Sequence, residues 1–453
     1  MAALDQADAA SWQDLESMKH PSADPLAYTR TLQLPRVQYD DLTSLEKFAR
    51  AGYPVVVEGA RLVDDAVRRW TPTYLAEKLG GHKMTVFESS STHFRYFDAE
   101  KNTTDWVFEA PMVKREMPIS EFISEANRRE AACSPSHLYL QQSLTGMTVL
   151  GDDYGRWDWS WILSLAQKMR WGLPDNNLLL MAMRGNRTPC HFDERENVFC
   201  QVRGRKTVIM FPPSDFDGLY PFPIGHPCDR QSMLDVEHPN LENFPRFRFT
   251  RRLTADLEPG DALFIPTYWW HFFSNHDAFA TSITFWAKQR PSEPVIPLPA
   301  GAMVAVRRNL ERMLHGQARS VRIGESGFQR LAWAHSASKM DLRPQLANLA
   351  AHVVPAGKVD QFLDALFDGR YDRPRTLYEQ PASVDVTKTQ LQQGCIVDPE
   401  REPATPPVPE PDHGSQSAQE NADQTDPEGF SEDLNHSVGT MVGTVHPSMS
   451  RKF

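Results

Sequence analysis

Between residues 175 and 290 the chain breaks into short β-prone runs separated by turn chemistry, with no helical period between them. The runs are Leu178 to Met183, Asn197 to Val202, Lys206 to Phe211, Ala262 to Ile265 and Ala278 to Trp286. Gly204, Pro212-Pro213 and Pro259-Gly260-Asp261 mark the turns. β-Branched and aromatic side chains suit pleated, half-buried backbone, whereas Gly and Pro punctuate it. Many short strands without intervening helices predict an antiparallel barrel or jelly roll.

Helical texture flanks this β-rich stretch. Thr43-Ser-Leu-Glu46 reads as a capping box opening a short helix through Arg50, ended by Gly52 and Pro54. Val55 to Val57 is a buried strand, and Thr71-Pro72 opens a helix closed by Gly80-Gly81. Strands follow near Met84 to Ser89, His93 to Phe97 and Leu138 to Gln142, with a helix from Met117 to Arg128. Beyond Pro299, Met303, Val306, Leu310 and Leu314 form one apolar stripe at helical spacing. Val359, Phe362, Leu363, Leu366 and Phe367 form another, closed by Gly369. These stripes either pack back on the barrel or provide a self-association surface. Residues 1 to about 35 read as a loosely ordered arm. The final stretch, rich in Pro, Glu, Asp, Gln and Ser, cannot bury enough surface to offset its ordering entropy.

The net charge of -11 argues against binding to nucleic acid through clustered cations. Five scattered cysteines (Cys133, Cys190, Cys200, Cys228, Cys395) show neither a disulfide framework nor zinc spacing. Met1 to Ser22 lacks the apolar core of a signal peptide, and no stretch reaches the roughly 18 apolar residues of a membrane helix. The expectation is a cytoplasmic protein, with the nucleus also open to it.

The chemistry concentrates in Thr188-Pro-Cys-His191-Phe-Asp193. On a strand edge an H-x-D pair directs both side chains to one face, because the strand period is two. A third ligand is available in Trp269-Trp270-His271, about eighty residues on and just past a turn and a strand. Two imidazoles and one carboxylate on one face of a metal leave positions open, the arrangement for non-haem iron(II) oxygen chemistry. Alone, an H-x-D pair is common on surfaces, and a histidine among aromatics is more often a core residue. A basic residue between them, Lys206, opens a β-run and could project inward to pair with a dicarboxylate. A strand-end lysine in solvent remains the alternative on sequence alone.

At these residues the chain resembles the asparaginyl hydroxylases that inhibit hypoxia-inducible factor, within the cupin/JmjC class of 2-oxoglutarate oxygenases. The resemblance lies in T-P-C-H-F-D-E-R-E-N-V-F-C-Q-V-R-G-R-K, Leu138-Tyr-Leu-Gln-Gln142, Phe211-Pro-Pro and Tyr220-Pro-Phe-Pro. It continues in His226-Pro-Cys-Asp-Arg-Gln-Ser232, Ile265-Pro-Thr-Tyr-Trp-Trp-His271 and Gly369-Arg-Tyr371. It implies a mainly β fold, a double-stranded β-helix (jelly-roll, cupin/JmjC) core with flanking helices and a C-terminal helical pair. With the composition read above, the divisions are a flexible arm (1–35), a catalytic domain (36–298), a dimerisation region (299–375) and a disordered acidic tail (376–453) that has no counterpart in the family.

The resemblance also implies roles. His191, Asp193 and His271 match iron(II) ligands. Lys206, Thr188, Tyr139 and Asn197 match 2-oxoglutarate contacts, and Tyr96, Asp98, Gln141, Arg230, Gln231 and Trp286 match the lining of a target-asparagine pocket. Dioxygen would be the co-reactant and ascorbate a reductant. The implied partners are a protein substrate, of which ankyrin repeats are one class, and a second copy in a homodimer. Three features depart from the family: Thr284 replaces an asparagine near the cosubstrate, Arg195-Glu196 replaces two glutamines near bound peptide, and a segment near Gln317 to Asp341 is extra. Two other readings stand beside this one: an oxygenase acting on another residue or on RNA, and a non-catalytic dimeric scaffold.

Overall fold

The computed structural model of the chain describes residues 9–101, 109–288, 299–321, 343–352, 354 and 357–367. The tail expected from residue 376, Gly369 to Tyr371 and most of the extra segment lie outside these residues.

The β-runs pair into two sheets. The smaller has the spatial order β1 (Thr31–Gln33), β11 (Arg252–Leu257), β10 (Lys206–Phe211), β13 (Trp270–Asn275) and β8 (Arg187–His191). The larger runs β2 (Arg36–Gln38), β3 (Val55–Glu58), β12 (Ala262–Ile265), β9 (Glu196–Arg203), β14 (Ala280–Ala287), β7 (Asn176–Ala182), β6 (His137–Ser143), β4 (Lys83–Ser89) and β5 (Val113–Pro118). Only the β1–β11 and β2–β3 pairs are parallel. Both sheets are therefore mixed, and mainly β architecture with flanking helices holds, as expected.

Alternation along each strand sorts side chains into three layers. From the larger sheet, Leu138, Leu140, Leu179, Met181, Val198, Cys200, Ile283 and Phe285 pack outward. They meet apolar faces of α2 (Leu42–Ala51), α3 (Asp64–Arg69), α4 (Pro72–Leu79), α5 (Ile119–Ala131) and α7 (Trp159–Lys168). Between the sheets, Phe199, Leu263 and Ile265 meet Val208, Met210, Leu253, Leu257 and Phe273. The Phe199 and Phe273 rings stack across this interior at 4.6 Å. On the far side of the smaller sheet, Cys190, Phe192, Phe211, Trp270 and Phe272 pack with Phe216, Phe222 and Phe247 of the intervening loops.

Several local expectations need correction. Helix α2 is capped by Asp41, whose side chain accepts the Ser44 amide, and Thr43 lies inside it. An acceptor two residues before Thr43 reaches the exposed N–H groups, so the helix gains two residues. Residues 93–97 form no strand; only His93 bridges to Arg187. The strand β5 occupies the residues before α5, which begins at Ile119 rather than Met117.

Residues 9–35, expected to be a loose arm, are packed. Here α1 (Trp12–Ser17) carries a capping box between Ser11 and Asp14, and β1 pairs with β11. Leu15, Met18 and Leu34 are buried in the inter-sheet core. The short α6 (Gly151–Tyr154) precedes α7, and α8 (Ala300–Val321) follows the barrel. Leu310 and Val306 of α8 pack with Leu346, Val359, Phe362 and Leu363 of the helices Arg343–Ala350 and Val359–Phe367. Val304 turns instead to the barrel-side core.

Candidate metal centre

Strand pairing supplies the first two ligands. His191 ends β8, and its Cα pairs with that of His271 on β13. Their rings lie 4.2 Å apart between centroids. Asp193 sits just past the strand, where its carbonyl accepts the Tyr268 amide and the intervening Phe192 amide donates to Arg230. Phe192 is fully buried on the opposite side, edge-on to Trp270 at 4.7 Å. This alternation turns both ligands of the H-x-D pair inward, as the strand period demands. The ligand atoms of His191, Asp193 and His271 all lie within 4.8 Å of one another, with His271 Nε2 3.7 Å from Asp193 Oδ2.

Hydrogen bonding fixes the imidazoles for coordination. His191 Nδ1 lies 2.9 Å from the Pro189 carbonyl and His271 Nδ1 lies 3.0 Å from the Trp269 carbonyl. A carbonyl only accepts, so both Nδ1 atoms carry protons and both Nε2 lone pairs are left free to coordinate. Burial, and then the neighbouring His271, push His191 down to about 4, and burial also lowers His271. Burial would raise the Asp193 carboxyl, but His191, His271 and Arg230 outweigh it and the net shift is downward. All three side chains thus favour the protonation states that bind a cation. Two neutral imidazoles and a carboxylate, with no thiolate, fit a divalent iron-type ion.

The interior beside this triad is polar and incompletely satisfied. Lys206 is 1% exposed, and among the described residues its ammonium meets no carboxylate. It lies over the Phe199 ring at 5.1 Å, and burial pushes its pKa down to about 7. Its Cα pairs with Asn275, four residues along β13 from His271, which is about 13 Å of strand. A lysine and a short dicarboxylate can together span that distance to the triad. Thr188 and Tyr139 are hydrogen-bonded to each other, and burial pushes the Tyr139 phenol up to about 12. Among the described residues the buried Asn197 Oδ1 has no hydrogen-bond partner. The cation, hydroxyls and open amide therefore fit an acidic cosubstrate.

Thr284 is buried, and its hydroxyl accepts the Leu178 amide at 3.2 Å, so it serves the β7–β14 pair. Of the two substituted positions after Glu194, Glu196 is buried and accepts the Thr267 amide at 3.2 Å. Only Arg195 remains toward the surface, paired with Asp175.

Of the residues expected to contact substrate, Tyr96, Arg230 and Gln231 meet beside the triad, whereas Gln141 and Trp286 are placed by strand register alone. Gln231 bridges to His191 in the sheet and donates through Nε2 to the Tyr96 carbonyl. Arg230 adopts left-handed backbone (φ 71°), and its guanidinium lies 3.8 Å from Asp193 Oδ1 and 5.9 Å from the Tyr96 ring centroid. Tyr96 itself is 43% exposed. Asp98 donates its amide to the Pro227 carbonyl and pairs with Lys101 at 3.1 Å. Gln141 shares the inward face of β6 with Tyr139, and Trp286 pairs in register with Asn197, its Nε1 unpartnered. Sequence reasoning missed Glu194, Asp229 and Arg308, which form a largely buried ionic cluster behind these loops. Two of them lie inside recognised motifs, but nothing local marks Arg308.

Comparison with known proteins agrees with this architecture. A family profile described as a cupin-like domain matches residues 42–293, more than half of the chain. Human HSPB1-associated protein 1 is 31% identical over 215 residues, 45% of this chain and 40% of that protein. The lysine-specific demethylase JMJ31 of Arabidopsis thaliana is 36% identical over 102 residues, covering 22% of this chain and 18% of that protein. The tRNA wybutosine-synthesizing protein 5 of Gallus gallus is 26% identical over 280 residues, 57% of this chain and 80% of that protein. The chain thus spans less than half the length of the HSPB1-associated and demethylase relatives. Its two mixed sheets, its inward-facing triad and the matched span together show that the chain belongs to the cupin-like domain family.

Proposed function

We propose that this chain is an iron(II)- and 2-oxoglutarate-dependent oxygenase that hydroxylates the β-carbon of asparagine in a protein substrate. One observation carries the reading: a convergent His191–Asp193–His271 set shares its interior with a buried lysine that meets no carboxylate among the described residues. A buried unpaired cation is costly, and a dicarboxylate cosubstrate offsets that cost. In this reading iron supplies oxygen activation coupled to oxidation of 2-oxoglutarate to succinate and carbon dioxide. Ascorbate would keep the metal reduced.

The protein supplies binding and orientation. Lys206 would hold the far carboxylate by a charge-assisted bond, with Thr188 and Tyr139 offering hydroxyls to the same end. Asn197 and Thr284 lie on the facing strands, Thr284 with its hydroxyl already engaged. Arg230, Gln231 and Tyr96 sit at the mouth, where a side-chain carboxamide can accept from a guanidinium and exchange bonds with an amide. Asp98, Gln141 and Trp286 complete the proposed pocket.

The Arg230 guanidinium beside Asp193 favours a neutral carboxamide over a methylated lysine, whose like charge would be repelled. That electrostatic point weighs against transferring the demethylase activity named for the plant relative. The net charge of -11 does not weigh against the tRNA substrate named for the wybutosine relative, because most of it lies in the C-terminal tail and the preceding chain is closer to neutral. The substrate panel below separates the two. Ankyrin-repeat proteins are the proposed substrate class, and the C-terminal helices the proposed homodimer contact.

The test is a substrate panel: a consensus ankyrin repeat, peptides presenting aspartate, histidine or methyl-lysine, and tRNA. Each is incubated with iron(II), ascorbate and 2-oxoglutarate. Succinate formation with a one-oxygen mass gain on asparagine is the expected result. Oxidation of a different residue, or of tRNA, would retain the oxygenase and reject its target. No succinate from iron-loaded protein with any substrate would favour the scaffold.

A further inference from the structure

Behind the metal centre lies a buried cluster that neither the triad nor the cosubstrate site uses. Arg308, on α8, is 1% exposed. It donates through Nη1 and Nη2 to the two oxygens of Asp229, at 2.9 and 3.0 Å, and through Nε to Glu194 Oε1 at 2.9 Å. Its guanidinium also lies 5.2 Å from the Phe192 ring centroid. Glu194 follows the ligand Asp193, Phe192 separates the two ligands of the H-x-D pair, and Asp229 precedes Arg230 and Gln231. One side chain, 114 residues from Glu194 and 79 from Asp229, therefore touches both loops beside the triad.

The neighbours reinforce the same docking. Arg312, one turn on, reaches Glu194 at 3.3 Å, and Arg307 pairs with Asp217 at 2.7 Å while lying over the Phe216 ring at 4.8 Å. Burial would raise the Asp229 and Glu194 carboxyls, but Arg308 outweighs it and both sit below their ordinary range. The buried Arg308–Asp229 pair is ionised, and the partly exposed Glu194 joins it through Oε1. Buried ion pairs of this kind are weak arguments for stability but strong constraints on geometry. A bidentate fork fixes the planes of two groups at once, which a hydrophobic contact would not.

We propose that Arg308 is a positioning residue, a brace through which docking of α8 sets the geometry of the Asp193 loop and the Arg230–Gln231 loop and so governs metal retention and substrate orientation. The inference rests on the metal reading above, but the brace itself is a statement about two loops and is testable without metal. It also gives the C-terminal helices a role in the site, since α8 packs with the last two helices through Val306 and Leu310. A partner or modification that shifted those helices would act on the metal centre through this side chain.

The test compares wild type with Arg308→Lys, with the double variant Arg308→Met/Asp229→Asn, and with Arg343→Ala as a control. Arg308→Lys keeps the charge and loses the fork. The double variant removes both members of the main pair, leaving Glu194 held by Arg312, so folding is retained while the link to the Arg230 loop is cut. Arg343→Ala removes the pairs to Asp360 and Asp364 in the same helical region, away from the loops.

Two readouts are taken: cobalt(II) affinity by titration, and amide hydrogen exchange of the metal-free protein. The Phe192 amide, which donates to Arg230, reports the loop contact directly. Both Arg308 variants are expected to bind cobalt about 10- to 100-fold more weakly, the range for losing a ligand's outer partner. Exchange should accelerate at Phe192 and Gln231 in both, and Arg343→Ala should match wild type in both readouts. Wild-type exchange in the folded Arg308 variants would overturn the brace, as would an equal loss of affinity in Arg343→Ala. If wild type binds no cobalt, the metal reading fails by itself and the exchange arm still decides the brace.

Discussion

The two faces of the nine-stranded sheet are built from alternate residues of the same strands, yet they differ in kind. Outward, Leu138, Leu140, Leu179, Met181, Val198, Cys200, Ile283 and Phe285 form an unbroken apolar layer under the helices. Inward, the intervening positions include Tyr139, Gln141, Asn197, Gln201, Ser282, Thr284 and Trp286. Both faces are buried; what separates them is the kind of side chain, apolar outward and largely polar inward. Even within the interior, Gln201 is fully engaged, donating to the Arg203 and Gly204 carbonyls and accepting from Ser282. Asn197 Oδ1 and Trp286 Nε1 have no partner, and Lys206 has no carboxylate among the described residues. Buried polar groups are usually paired, so open ones on the inward face beside a cation and a ligand triad are consistent with a ligand site there. One set of residues holds the sheet together, and the other gives up stability to keep a site open.

Substitutions on the two faces should therefore separate activity from stability. The largest effect is expected from His191→Ala, which should abolish turnover and weaken metal binding well beyond the roughly 10- to 100-fold that an outer partner is worth. Its thermal midpoint should stay near wild type, as differential scanning fluorimetry of the metal-free protein would show. Phe285→Ala, on the outer face, should do the reverse. It should cost about 3–5 kcal/mol in urea unfolding while the folded fraction keeps wild-type metal affinity. Lys206→Met should stabilise the metal-free protein by about 1–4 kcal/mol and remove any thermal upshift on adding 2-oxoglutarate.

The depressed Lys206 pKa, about 7, predicts a smaller effect with a definite sign. Between pH 7 and about 10.4 the unfolded chain holds a proton at this lysine that the folded chain lacks, so its burial penalises folding less as pH rises through that window. A dicarboxylate that pairs with Lys206 raises its pKa, so binding near pH 8 should take up close to one proton. Calorimetry in buffers of different ionisation enthalpy would measure it, and proton-neutral binding would contradict the pairing. The smallest effect concerns Thr284, whose hydroxyl supports the β7 backbone. Thr284→Val should cost about 1 kcal/mol and Thr284→Ser almost nothing, with the KM for 2-oxoglutarate within about twofold in the serine variant.

Local chemistry made much of this legible in the sequence. Lys206–Phe211 and Ala262–Ile265 fall where turn residues and β-branched runs place them, and Thr71-Pro72 caps its helix as read. The H-x-D pair was readable because inward and outward residues alternate, with Phe192 as the buried spacer. Features set by distant partners were hidden. The strand Trp270–Asn275 is buried on both faces and shows no alternation, so its aromatic run gives no strand period. Residues 9–35 looked loose because β1 finds its parallel partner more than two hundred residues later. Arg308 looks like any helical arginine until its carboxylates are brought to it.

The most direct test of the central claim is anaerobic iron(II) binding, measured with and without 2-oxoglutarate, for wild type, His191→Ala and Lys206→Met. Wild type should bind one equivalent, more tightly when 2-oxoglutarate is present. Lys206→Met should keep the metal and lose that enhancement, and His191→Ala should lose both. Iron binding unchanged by His191→Ala, or an enhancement that survives in Lys206→Met, would contradict the account.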